Sequence, residues 1–167
     1  VADGRMRWVL GSMGPGTKLP SLGHTTYENL KSTFAEQARG LIAGGSDAFM
    51  IETSQDLLQT KAAINGCKQA INETGIRLPI FVEVTVETTG TMLMGSEIGA
   101  ALTALEPLGV DAIGLNCATG PAEMSEHLRH LSQYSPVPVM CMPNAGLPVL
   151  GPNGAVYPLT PDQLATA

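Results

Sequence analysis

GVDAIGLNCATGPAEMSEHLRHL, residues 109–131, passes from an apolar run through a polar tip into a helical pattern, and its reading decides the fold. The run AIGLNC (112–117) is almost continuously apolar, as a strand buried on both faces requires. It ends on Asn116 and Cys117 and turns through Gly120-Pro121. Proline suits the first helical position, where its missing N–H has no intrahelical partner to lose. Beyond it, Met124, Leu128 and Leu131 recur at helical spacing. The unit is strand, polar tip, helix.

The same unit repeats along the chain. Further strand candidates are WVLGSMG (8–14), AFMIET (48–53), PIFVEVTV (79–86) and PVMCMP (138–143). Helical stripes fill the intervals: 27–44 with Leu30, Phe34, Ala38 and Leu41, 56–73 with Leu57, Ala62 and Ile64, and 96–108 with Ile98, Ala101 and Leu105. A last helix is expected after Thr160-Pro161, with Thr160 as N-cap. Strands joined by helices make a parallel α/β sheet with right-handed crossovers. No Gly-rich dinucleotide fingerprint follows any strand, and polar residues collect at several strand ends, as in (β/α)8 barrels of the TIM type.

Five units do not close such a barrel, which needs eight strands and typically ~250 residues. The 167 residues are therefore expected to be one partial barrel domain, an internal fragment lacking two leading strands and the last. A complete small flavodoxin-like domain is the alternative. An open parallel sheet leaves bare edges, so self-association through them is expected.

Composition narrows the function classes. Hydrophobic residues make up 44% and charged residues 14%, enough apolar content for a packed core. The net charge of −6 and the absence of any Lys/Arg run argue against a nucleic-acid or anionic-membrane surface. No apolar run approaches the ~20 residues of a membrane helix. Three widely spaced cysteines, at 67, 117 and 141, are no disulfide framework and fit a reducing, cytoplasmic compartment.

The strand tips carry the candidate residues. Cys117, at a tip before a helix N-terminus, reads as a nucleophile or soft metal ligand, or as a small buried residue. Asn144 in MPNAGLP (142–148) is a rigidly placed amide for a substrate or metal, or a turn residue bonding its own backbone. Glu52 ends the apolar run AFMI; it suits a substrate ammonium group, or else an ion pair at the rim. GSMGPGTK (11–18) is no phosphate loop, because Thr17 precedes Lys18 and Pro15 interrupts. It reads as a pocket-lining loop in which Ser12 and amides near Gly14 meet a carboxylate. His127 and His130, spaced i, i+3, read as a solvated helix face, Cys67 as filler, and Cys141 as packing with a weaker claim as a ligand.

GSMGPGTKLPSLGH, AFMIETSQDLLQTKAAI, the run from VEVTVETTG to GLNCATGPAEMSEHL, and MPNAGLPVLGPNGAVYPLTPDQLA resemble the homocysteine-binding modules of cobalamin-dependent methionine synthases, within the wider homocysteine S-methyltransferase family. The likeness runs from Val9 to Ala165. It implies a (β/α)8 barrel that binds Zn2+ through three cysteines, one of them at Cys117. The other two form a Gly-Gly-Cys-Cys pair that these 167 residues do not contain. Asn144 matches a position near the metal, and Glu52 one that binds the substrate amino group. Ser12 and Asn116 complete the expected substrate-binding set. The implied chemistry holds homocysteine as a zinc thiolate and methylates it from methylcobalamin to give methionine. The folate- and cobalamin-binding modules are then partners elsewhere in a parent chain. A related enzyme using betaine or S-methylmethionine, or a non-catalytic self-associating fragment, are the competing expectations.

Overall fold

The computed structural model describes residues 3–167. Five strands form one sheet: β1 (Leu10–Met13), β2 (Ala48–Ser54), β3 (Ile80–Val84), β4 (Ala112–Asn116) and β5 (Val139–Met142). Their spatial order is their chain order, and every neighbouring pair is parallel. A doubly wound sheet reverses its strand order at a switch point; this sheet does not. With right-handed crossovers, one-directional growth puts every helix on the same face, which is the wall of a barrel.

Four helices form that outer layer: α1 (Tyr27–Ala43), α2 (Leu57–Thr74), α3 (Ile98–Leu105) and α4 (Pro121–Tyr134). Three of them, α1, α2 and α4, start where a side chain supplies a partner for a free N–H. Thr26 Oγ1 accepts from Asn29 N at 3.2 Å to open α1. Asp56 Oδ1 accepts from Leu58 N at 2.8 Å to open α2. At α4 the Glu123 carboxylate accepts from Gly120 N at 3.0 Å, with Pro121 as the first helical residue. Helix α3 is shorter than its apolar stripe suggests. Pro107 lacks an N–H, so the chain tightens into a 3-10 turn over Glu106–Leu108.

Alternation divides the strand residues between two faces. Phe49, Ile51, Ile80, Val82, Val84, Ile113 and Leu115 join helix residues such as Phe34, Ile64, Leu105 and Leu131 in one buried core. Ser12, Glu52, Glu83 and Asn116 therefore belong to the opposite face, the one that lines the inside of a barrel. Helices α1 and α2 approach closely at Gly66, where a Cβ would lie 2.8 Å from Lys31 O and from Ala35 N. Only glycine fits that crossing.

Within the described residues β1 has only β2 as a neighbour and β5 only β4. Trp8, Leu10, Val139 and Met142 are exposed at or near these edges. Beyond β5 the structure holds an antiparallel hairpin of β6 (Val149–Gly151) and β7 (Gly154–Val156) that the period-based reading does not anticipate. Its strands are three residues each, too short to show alternation. The signal present is Asn153-Gly154, with Gly154 at φ +117°. Helix α5 (Pro161–Thr166) follows, capped by Thr160 as expected. No helix among the described residues is long and apolar enough to cross a membrane.

Candidate functional site

The C-terminal ends of β1 to β4 carry two sets of hydrogen-bonded residues, Ser12 with Glu52, and Thr53, Thr85 and Cys117 around Asn116. Strand β2 carries one extra residue against β3: Ile51 pairs with Val82, but the next pair is Ser54 with Val84. Thr53 sits in that bulge with φ +58°. Bulges of this kind re-aim side chains beside functional sites. Here the bulge turns the Thr53 N–H toward β4, where Asn116 Oδ1 accepts it at 2.8 Å. Asn116 Nδ2 donates in return to Thr53 Oγ1 at 2.8 Å.

Asn116 is 2% exposed, so its amide must be satisfied from within. Besides Thr53, Nδ2 reaches Cys117 Sγ at 3.5 Å. Thr85 Oγ1 donates to the Asn116 carbonyl at 3.1 Å, tying β3 to the same point. The side chain of Asn116, one of the expected substrate-binding residues, spans from β4 to β2 and lies against the thiol.

Cys117 and Ala118 both have φ +57°. Two consecutive L-residues in the left-handed region cost about 1–2 kcal/mol each. Such strain is held only where surrounding bonds fix it. The Cys117 N–H donates to Met142 O at 3.1 Å, Thr119 N to Cys117 O at 2.7 Å, and Asn144 N to Thr119 O at 3.0 Å. Asn144 is thereby tied through its backbone to the loop that carries Cys117. The two loops pack so closely that a Cβ on Gly120 would lie 2.9 Å from Gly146 Cα.

Glu52 has no ion pair among the described residues. Its Oε1 accepts from Ser12 Oγ at 2.5 Å, a bond between the tips of β1 and β2. Beside it lies a carboxylate that the sequence reading passed over. Glu83, on β3, is fully buried, and neither of its carboxylate oxygens has a partner among the described residues. Burial first, and the neighbouring Glu52 charge second, push its carboxyl up to about 7. The one local hint is its place, alone in the apolar run PIFVEVTV.

The other candidates fall away from the tips. Burial pushes the Cys67 thiol up to about 12, and its Sγ contacts Met13 Sδ at 3.5 Å in the core. Cys141 Sγ lies 3.8 Å from Met124 Sδ of α4, which puts it on the helical side of the sheet. Burial, then the Glu83 charge, raise its thiol as well. His130 is half-buried, stacks on Tyr134 with ring centroids 4.7 Å apart, and fills the space left by Gly99 of α3. It is a packing residue rather than part of a solvated face. The loop after β1 is held by Gln59 of α2, whose Nε2 donates to Pro15 O at 2.6 Å and Lys18 O at 3.0 Å. That residue too went unnoticed in the sequence, because its partners lie more than forty positions away.

Among the described residues no three His, Cys, Asp or Glu side chains come close enough to hold a metal ion. Cys117 is a single soft donor with Asn144 on the adjoining loop. What the tips do provide is an oriented thiol and a pair of carboxylates on one face of a parallel sheet.

A sequence profile described as homocysteine S-methyltransferase matches residues 1–167. The chain belongs to the homocysteine S-methyltransferase family. Among curated proteins, this family member is 67% identical over 163 residues to a methionine synthase of Mycobacterium tuberculosis (strain ATCC 25618 / H37Rv), covering 98% of this chain and 14% of that protein. It is 67% identical over 161 residues to a methionine synthase of Mycobacterium leprae (strain TN), covering 96% and 13%. The chain thus spans about one-seventh of the length of these relatives. Among solved structures, the apo form of the homocysteine methyltransferase MmuM from Escherichia coli superposes with a TM-score of 0.68 at 21% identity, over 83% of this chain and 50% of that one. Its metallated form gives 0.68 at 20% identity, over 83% and 49%. These structures share the fold, a wall of parallel strands alternating with helices.

Proposed function

We propose that the chain forms the homocysteine-binding wall of a methionine synthase. The observation that carries this reading is the pairing at the strand tips of Cys117, a thiol pinned by Asn116, with Glu52, a carboxylate pinned by Ser12. The name and 67% identity of the curated relatives support the activity. As a portion of a (β/α)8 barrel, the chain would contribute five consecutive units, with two strands before it and one after it supplied by the rest of a parent protein.

The residues act on different parts of the substrate. Glu52 receives the α-ammonium group of homocysteine; Ser12 already occupies Oε1, which leaves Oε2 for the ligand. The amides near Gly14, on the loop after β1, face its carboxylate. Its sulfur then lies toward Cys117. A zinc ion there would keep that sulfur as a thiolate at neutral pH. Cys117 would be one of its ligands with Asn144 beside it; the residues on this chain fall short of a complete donor set, so further cysteines from the parent would complete it. Asn116 restricts the Cys117 side chain by its bond to Sγ, and the strained loop presents the thiol in one orientation. Methyl transfer then forms an S–C bond from the homocysteine sulfur while the bond from the methyl carbon to its donor breaks. The wall contributes orientation, which brings the reacting atoms into line for such a displacement. The donor in this reading is methylcobalamin, carried on another module, with a folate-binding module to regenerate it.

Methyl transfer to homocysteine by the parent enzyme tests the reading. Cys117→Ala is expected to abolish turnover, and Glu52→Gln to raise KM for homocysteine at least about tenfold. Normal turnover in Cys117→Ala would refute it. A second behaviour follows for the isolated chain from the exposed residues at the edges of β1 and β5: it would self-associate through them.

A further inference from the structure

Glu83 is a fully buried carboxylate that takes no part in the hydrogen bonds at the strand tips. The register places it beside Glu52: Ile51 pairs with Val82, so Glu52 and Glu83 are the next residues of β2 and β3, and both point away from the helices. On its other side Glu83 pairs with Gly114, which carries no side chain to meet it. Met140 O lies where a Gly114 Cβ would stand, at 2.2 Å, so no larger residue fits there.

A fully buried carboxylate without a hydrogen bond is costly, by several kinds of measurement. Both Glu83 oxygens are in that condition. Ser12 Oγ, at the tip of β1, is committed to Glu52, and Thr53 Oγ1 accepts from Asn116. Among the described residues, no Lys or Arg forms an ion pair with Glu83. Two carboxylates side by side repel each other, and a single positive charge between them removes both penalties. The chemistry of that charge is restricted. A divalent metal needs more donors than two carboxylates, and no third acidic, thiol or imidazole group joins them among the described residues. A primary ammonium group is small, carries one charge and has three N–H donors. Glu52 Oε2 and the Glu83 oxygens can take them.

We propose that Glu83 is a second substrate-binding carboxylate, holding the α-ammonium group of the amino acid together with Glu52. The inference rests on the reading of the wall as a homocysteine site and adds a residue to it. It makes the site selective for an amino acid over the same thiol acid without nitrogen. Glu52 reaches the ammonium from the strand tip; Glu83, whose oxygens are covered in this structure, turns toward it from β3.

The test compares homocysteine with its des-amino analogue, 4-mercaptobutanoate, in the parent enzyme. Glu83→Gln keeps the shape and removes the charge. The expected result is a KM for homocysteine raised about tenfold or more, a kcat within about twofold of wild type, and an unchanged inhibition constant for 4-mercaptobutanoate. Glu83→Asp, which keeps the charge, is expected to recover part of the lost affinity. Thermal melting of each variant verifies that it is folded. A homocysteine KM unchanged in Glu83→Gln overturns the proposal. So does an equal loss for both ligands, which would show that Glu83 partners a group of the protein. Equal losses in Gln and Asp overturn it as well. Failure of the wild-type enzyme to methylate homocysteine at all would instead strike the underlying reading of the site, and this inference with it.

Discussion

Asn116 holds Thr53 at two points, accepting from its backbone N–H at 2.8 Å and donating to its hydroxyl at 2.8 Å. The two residues are 63 positions apart, on strands separated by β3. This amide clasp closes the top of the sheet, and its remaining N–H reaches the Cys117 thiol.

Removing the clasp should destabilise the chain. Asn116→Ala leaves the Thr53 amide without its acceptor, a loss on the order of 1–3 kcal/mol. Asn116→Asp retains that acceptor but buries a carboxylate, so its loss grows as pH rises and the acid ionises. Urea denaturation of the two variants orders them. Equal stability of Asn116→Ala and wild type would show that the clasp contributes nothing.

The strain at Cys117 gives an opposite sign. At φ +57° a glycine is relieved of the Cβ penalty while an alanine is not. Cys117→Gly should therefore be more stable than Cys117→Ala by up to about 1 kcal/mol, although both lose the thiol. Denaturation midpoints of the pair measure the difference, and a more stable alanine variant would contradict the strain.

Glu83 makes stability depend on pH. Folded, it keeps its proton to about pH 7; unfolded, it releases it near about 4.3. Between those values the folded chain binds more protons, so its stability falls as pH rises. Glu83→Gln has no proton to lose. It should be more stable than wild type by on the order of 1–3 kcal/mol at pH 8, with the two converging near pH 4. A difference independent of pH would show that Glu83 does not titrate in this range.

The cysteines should separate by reactivity. Cys67 is fully buried and its thiol is pushed up to about 12, so it reacts with iodoacetamide only on unfolding. Cys117 is half-buried and free, so it is labelled in the native chain. Peptide mapping after brief alkylation distinguishes them, and early labelling of Cys67 would contradict its place in the core.

The sequence made the strands and most helices legible because their signals are local. Apolar runs such as AFMI and the caps Thr26, Asp56 and Thr160 act within a few residues of themselves. Cys117, Asn144 and Glu52 were visible as polar residues at the ends of such runs. What joins them was not. The Ser12–Glu52 bond spans 40 positions and the Asn116–Thr53 clasp 63, and the bulge at Thr53 is a property of the β2–β3 pair. Nothing local shows that the Asn116 amide meets Thr53 and Cys117. Glu83 was hidden for another reason: its burial follows from the packing of the sheet, and a lone glutamate in a strand can equally stand in solvent.

The most direct measurement is the zinc content of the parent protein, by atomic absorption, in wild type, Cys117→Ala and Cys141→Ala. The site at the tip of β4 requires about one zinc per chain in wild type and in Cys141→Ala, and almost none in Cys117→Ala. Full zinc occupancy in Cys117→Ala would contradict it.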